Sequence, residues 1–147
     1  MTAFDALIDG FVAQLSAATA VCPFIETDGD AEPLPAGRTA SILVLLGNAE
    51  PQQMGGIAGN PVDWITEVQV KCYASANATS ARPAANTLAG AAYARLAATP
   101  SLAIASGSGV FIGEPRIEWE TEQAATRMAC TTLIYSVTHR TTNLTLD

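Results

Sequence analysis

The stretch 63–74 constrains the fold more than any other part of the chain. Trp64, Thr66, Val68, Val70 and Cys72 alternate there with Glu67, Gln69 and Lys71. Successive side chains of a strand point to opposite faces, so the alternation predicts a strand with one buried face and one wet face. Such a strand needs neighbours that continue its apolar face and a layer that covers it. Candidate neighbours are present. Residues 41–46, Ser-Ile-Leu-Val-Leu-Leu, are nearly all apolar and read as a central strand covered on both faces. Residues 110–120 and 127–140 read as two long strands, a hairpin joined by a polar turn over 122–126. In the second, Met128, Cys130, Thr132, Ile134 and Ser136 alternate with Ala129, Thr131, Leu133, Tyr135 and Val137. Residues 21–27 admit a short edge strand, curtailed by Pro23.

The covering layer is legible as a change of period. Phe4, Leu7, Ile8, Phe11, Val12 and Leu15 form one stripe at helical spacing, with Thr2 placed to cap it and Asp5 to favour the positive end of its dipole. Ala81, Ala85, Leu88, Ala92 and Leu96 form a second stripe. Asn77, Thr79 and Ser80 offer caps, Pro83 fits only a first turn, and Thr99-Pro100 ends the helix. The expected fold is therefore α/β (α+β): a mixed, mainly antiparallel sheet of about five strands flanked by two helices, in the order α-β-β-β-α-β-β. No repeat or linker divides the chain, so residues 1–147 are expected to form one domain. Residues 27–37 and 101–109 read as loops. Residues 47–61, with four glycines, two prolines and Glu50 as the sole charge, read as a long flexible loop or a hairpin arm.

Charge excludes several functions. Fourteen acidic residues against seven basic ones give a formal charge of −7. No run of Lys or Arg occurs, which argues against nucleic-acid binding through phosphate neutralisation and against a basic membrane-binding segment. Only 14% of the residues are charged, against roughly 25% in typical soluble domains. A surface so poor in charge suits one that another subunit covers. Cys22, Cys72 and Cys130 are odd in number and lack CxxC spacing, so neither a disulfide framework nor a zinc site is expected. No secretory pattern and no apolar run of about 20 residues occurs, which predicts an intracellular, reduced protein outside any membrane.

The residues that carry chemistry form no catalytic motif. His139, the single histidine, is expected at a solvated strand edge and has no partners for a triad or a metal site. Thr27-Asp28-Gly29-Asp30 lacks the remaining ligands of a calcium loop and reads as a turn. Gly55-Gly56-Ile57-Ala58-Gly59 lacks the Lys-Ser or Lys-Thr of a phosphate cradle. Glu114, Glu118, Glu120 and Glu122 are the densest acidic set; Glu118 and Glu120 share one face of their strand, with Ile117 and Trp119 on the other. No catalytic, cofactor-binding or metal-binding residue is expected, and the protein is read as a non-enzyme.

Several stretches resemble the tail-terminator (minor tail, tail-completion) proteins of long-tailed bacteriophages. They are the amphipathic N-terminal helix, the strand 61–73, the helix 84–96 with Ala92-Tyr-Ala-Arg-Leu96, the segment Pro115-Arg-Ile-Glu-Trp119 and the closing 133–142. Together they span most of the chain in the family's order. The resemblance implies a virion protein at the head–tail junction, assembled in the host cytoplasm. Six copies would form a hexameric ring that caps the tail tube, stops its growth and meets the head–tail connector or neck protein. On that reading Met54, Ile57, Trp64 and Tyr135 are candidate subunit-interface residues. Glu118, Glu120 and Glu122 are candidates for an acidic bore through which DNA passes without specific binding. A neck or head-closure protein of the same particle, or a small-ligand-binding α+β domain, are the alternatives.

Overall fold

The computed structural model describes residues 2–30, 32–52, 61–76, 80–103, 109–120 and 127–141. Helix α1, Ala3–Ser16, begins where the sequence places it. The Thr2 hydroxyl accepts from the Asp5 N–H at 3.1 Å while the Asp5 carboxylate accepts from the Thr2 N–H at 3.0 Å, a reciprocal capping box. The Thr2 N–H and, at 2.9 Å, the Thr2 hydroxyl both donate to the Asp5 carboxylate and hold its carboxyl below its ordinary pKa. Strand β1, Ile25–Glu26, is a short edge strand and pairs parallel with β2, Ala40–Pro51. Strand β3, Val62–Ser75, pairs antiparallel with β2 on one side and with β7, Met128–Thr141, on the other. Strand β6, Arg116–Trp119, closes the five-stranded order β1-β2-β3-β7-β6. The sheet is mixed and mainly antiparallel, as expected.

Helix α2, Arg82–Ala98, crosses β3 and β7 on the same face that α1 covers. Between them the main core closes: Leu7, Phe11 and Leu15 from α1, Ala89, Ala92 and Leu96 from α2, and Ile42, Val44, Val68, Val70, Cys72, Leu133, Tyr135 and Val137 from the sheet. The small residues of α2 let its axis lie close to the strands. Arg95 ties the helices together, donating to the carbonyl of Ala17 and, at 2.8 Å, to that of Thr19. The opposite face carries a small cluster of Leu43, Tyr73 and Cys130, roofed by Leu34, Leu45 and Met128.

Several local expectations are sharpened or corrected. Of the loop and the hairpin arm expected over 47–61, the described part is an arm: β2 runs on through Gly47 to Pro51, paired with β3, and a bulge between Leu46 and Ala49 absorbs the extra residue. Gly47 sits tightly at that bulge: a Cβ there would stand 3.1 Å from side-chain atoms of Glu67 and Gln69, which would have to shift to admit it. Residues 53–60, the rest of the expected flexible loop, lie outside the described residues. Residues 101–111 are not plain loop either: β4, Ser101–Ala103, pairs antiparallel with β5, Gly109–Phe111, in a separate two-stranded sheet. The single strand expected over 110–120 is thereby split, because the Ile112 N–H donates to the Pro100 carbonyl and the chain reaches β7 only at Arg116. Finally, α2 is capped by Ala81 and not by a side chain; the Ser80 hydroxyl accepts from the Arg82 N–H at 3.3 Å instead.

Candidate functional site

His139 overturns the expectation of a solvated edge. It is 3% exposed, on the helix-covered face of β7, with the Phe4 ring edge-on at 4.8 Å. Its Nε2 lies 2.9 Å from the Thr66 hydroxyl, and its Nδ1 is buried with no hydrogen-bond partner. Burial pushes the imidazole pKa down, so the ring is held neutral. Among the described residues the Thr66 hydroxyl is its one hydrogen-bond partner, and no carboxylate pairs with the ring. The three cysteines are buried and free, and burial raises the pKa of each thiol. Among the described residues no group of His, Cys, Asp and Glu is arranged to hold a metal ion. No helix among them is long and apolar enough to cross a membrane. The Asp28 carboxylate accepts from the Asp30 N–H at 3.0 Å, which makes that segment a turn.

The remaining candidate residues lie on surfaces. Glu118 and Glu120 sit on the open face of the sheet, opposite Ile117 and Trp119, as the alternation predicts. Their charge is locally balanced: Glu118 is 3.2 Å from Arg116, and Glu120 is 3.5 Å from Lys71. Arg116 also reaches Glu67 at 3.9 Å, so the face is a network of mixed sign. Glu122, Met54 and Ile57 lie outside the described residues. Trp64 is half-buried, its indole N–H donating to the Thr141 hydroxyl at 2.9 Å and its ring edge-on to Phe4 at 5.6 Å. Tyr135 is 1% exposed and packs on Phe11 at 5.3 Å between ring centroids. Its ring belongs to this subunit's own core, which removes it from the candidate interface residues.

Sequence reading missed the apolar surface at the β6 edge. Trp119 and Ile117 are 59% and 44% exposed there, and Phe111, on β5, is 74% exposed. Ile117 and Trp119 flank a groove of about 230 Å³ against α2, floored by Leu133 and Ala89. Asn86 fixes the groove wall, its carbonyl oxygen accepting from the Trp119 indole at 3.0 Å and from the Thr131 hydroxyl at 2.8 Å. The available signal was an apolar alternation on a strand too short to be covered, next to an amide in the middle of an Ala-rich helix.

No family model matches the chain, and no curated protein matches it by sequence. Among solved structures it is similar to a chain of the "Virion of native gene transfer agent (GTA) particle", at 16% identity and a TM-score of 0.58. The similarity covers 94% of this chain and 97% of that one, so the two share a fold from end to end.

Proposed function

We propose that the chain is a non-enzymatic structural protein of a phage-type virion, and within that class a tail terminator. In this reading six copies form a ring on the last layer of the tail tube, end its growth and present a surface to the head–tail connector, at the head–tail junction. One observation carries it: the fold is shared over nearly the whole length of both chains with a component of a gene transfer agent virion. The low charge content and the exposed Phe111, Ile117 and Trp119 support a protein that works through covered surfaces. Because Glu118 and Glu120 are already paired, repulsion of passing DNA would rest on the net −7 of the chain more than on these two carboxylates.

Electron microscopy of tail tubes assembled with and without the purified chain tests the reading. Tubes of defined length bearing an end ring are expected with it, and overgrown tubes without it. Unchanged tube lengths overturn the tail-terminator assignment.

A further inference from the structure

The sheet is wider at one end than at the other. At the level of Ile42, Cys72 and Thr131 it has five strands, bounded by β1 and β6. Toward the far end β1 stops beside Leu43 and β6 beside Ile134, leaving residues 46–51, 62–68 and 135–141 as a three-stranded tongue. Among the described residues no strand pairs with the outer side of β2 or β7 within this tongue. Backbone groups on such edges are templates for another strand.

The two edges are complementary in kind. The Glu120 N–H donates to the Cys130 carbonyl, so even-numbered residues of β7 turn their backbone groups away from β3. Ser136, Thr138 and Arg140 thus turn N–H and C=O to the outer side of β7, where no described strand pairs with them, along a stretch free of Gly and Pro. On β2 the Gln52 N–H donates to the Asp63 carbonyl, which turns Ala49 and Pro51 outward. The bulge before Ala49 and the missing N–H of Pro51 restrict pairing there to a short run, and so pin its register. The side-chain charges match as well. Glu50 lies in register with Ile65, and Arg140 with Asp63, so Glu50 and Arg140 share the open face of the sheet. Arg140 grips Asp63 through Nε and a terminal nitrogen at 2.6 and 2.8 Å, which leaves guanidinium donors over, and Glu50 has no ion pair among the described residues.

We propose that the β7 edge of one copy pairs in parallel with the β2 edge of a second copy, Arg140 beside Glu50, joining the sheets of neighbouring subunits. Strands β2 and β7 are both antiparallel to β3 and run in the same direction, so a neighbour placed with the same face inward sets them parallel. Each copy gives one edge and receives on the other. That head-to-tail contact closes into a ring, whereas β7-to-β7 pairing closes at a dimer. The inference rests on the ring-forming reading above and names the contact that would build the ring.

The purified Glu50→Cys/Arg140→Cys double variant tests it. Oxidation is expected to give a ladder of covalent oligomers, since the three native cysteines are buried. Thr138→Pro added to this variant is expected to reduce the ladder at least tenfold with far-UV circular dichroism and melting unchanged, because the N–H it removes faces away from β3. In the native-cysteine background, Glu50→Arg and Arg140→Glu are each expected to weaken self-association in sedimentation velocity, and their combination to restore it. No ladder, or dimers from Arg140→Cys alone, overturns the proposal. A ladder with unchanged tube lengths overturns the tail-terminator reading and leaves this contact standing; length-controlled tubes without a ladder do the reverse.

Discussion

The two faces of one sheet are built on opposite principles. Under α1 and α2 the face is continuous and apolar: Ile42, Val44, Val68, Val70, Cys72, Leu133, Tyr135 and Val137 are all buried. One residue out of step along the sheet, the open face carries Glu67, Lys71, Arg116, Glu118 and Glu120 in ion pairs, with Leu43, Tyr73 and Cys130 as a small buried cluster and Ile134 buried among the charged residues. The first face removes apolar surface from water, at roughly 25 cal/mol per Å², and so holds the subunit together. The second offers exposed charges whose pairs contribute little to folding. Stability is concentrated on one side, which leaves the other side and the narrow end of the sheet free for assembly.

The largest expected effect breaks the helix-covered face. Phe11 is fully buried, against the Tyr135 ring. Phe11→Ala removes that packing and leaves a cavity that the small residues of α2 cannot fill, so a loss of about 3–5 kcal/mol is expected in urea unfolding. A loss below about 1 kcal/mol would mean that α1 is not seated on the sheet as described.

The next effect depends on pH. His139 is buried neutral between Phe4 and Thr66, with its folded-state pKa below the ordinary value near 6.5. Above that value the ring is neutral in both states and the full stability is present. As pH falls below it, the unfolded chain takes up the proton first, and stability is lost. Wild type is therefore expected to melt at lower temperature at pH 5.5 than at pH 7.5, and His139→Gln to show a flatter profile over that window. Parallel profiles would place the imidazole in water.

The same contrast explains what could be read from the chain. A period of two assigns faces without knowledge of neighbours, so the strand 63–74, both helical stripes and the opposition of Glu118 to Ile117 were legible. Features decided by distant contacts were not. Gly47 and Asn48 look like loop residues, yet they lie within β2 at the bulge because pairing with β3 resumes at Ala49 opposite Thr66. His139 looks like an edge residue, and only the docking of Phe4 from the far end of the sequence buries it. The β4–β5 pair rests on three-residue strands, too short for any periodic signal. The candidate surfaces were the least legible, since exposure of Trp119 and the open edge of β7 follow from where β6 stops.

The smallest expected effect belongs to the open face. Lys71 and Glu120 stand 3.5 Å apart, with the Glu120 side chain 54% exposed. Water screens their attraction and both side chains keep alternatives, so Lys71→Ala is expected to cost less than about 1 kcal/mol. The difference from wild type should shrink further in 1 M salt, where the Debye length falls to about 3 Å. Lys71 also covers part of its strand with its methylene stem, and any residual cost that survives high salt reports that packing. A loss comparable to that of Phe11→Ala would show that the charged face is a second source of stability, and the division between the two faces would not hold.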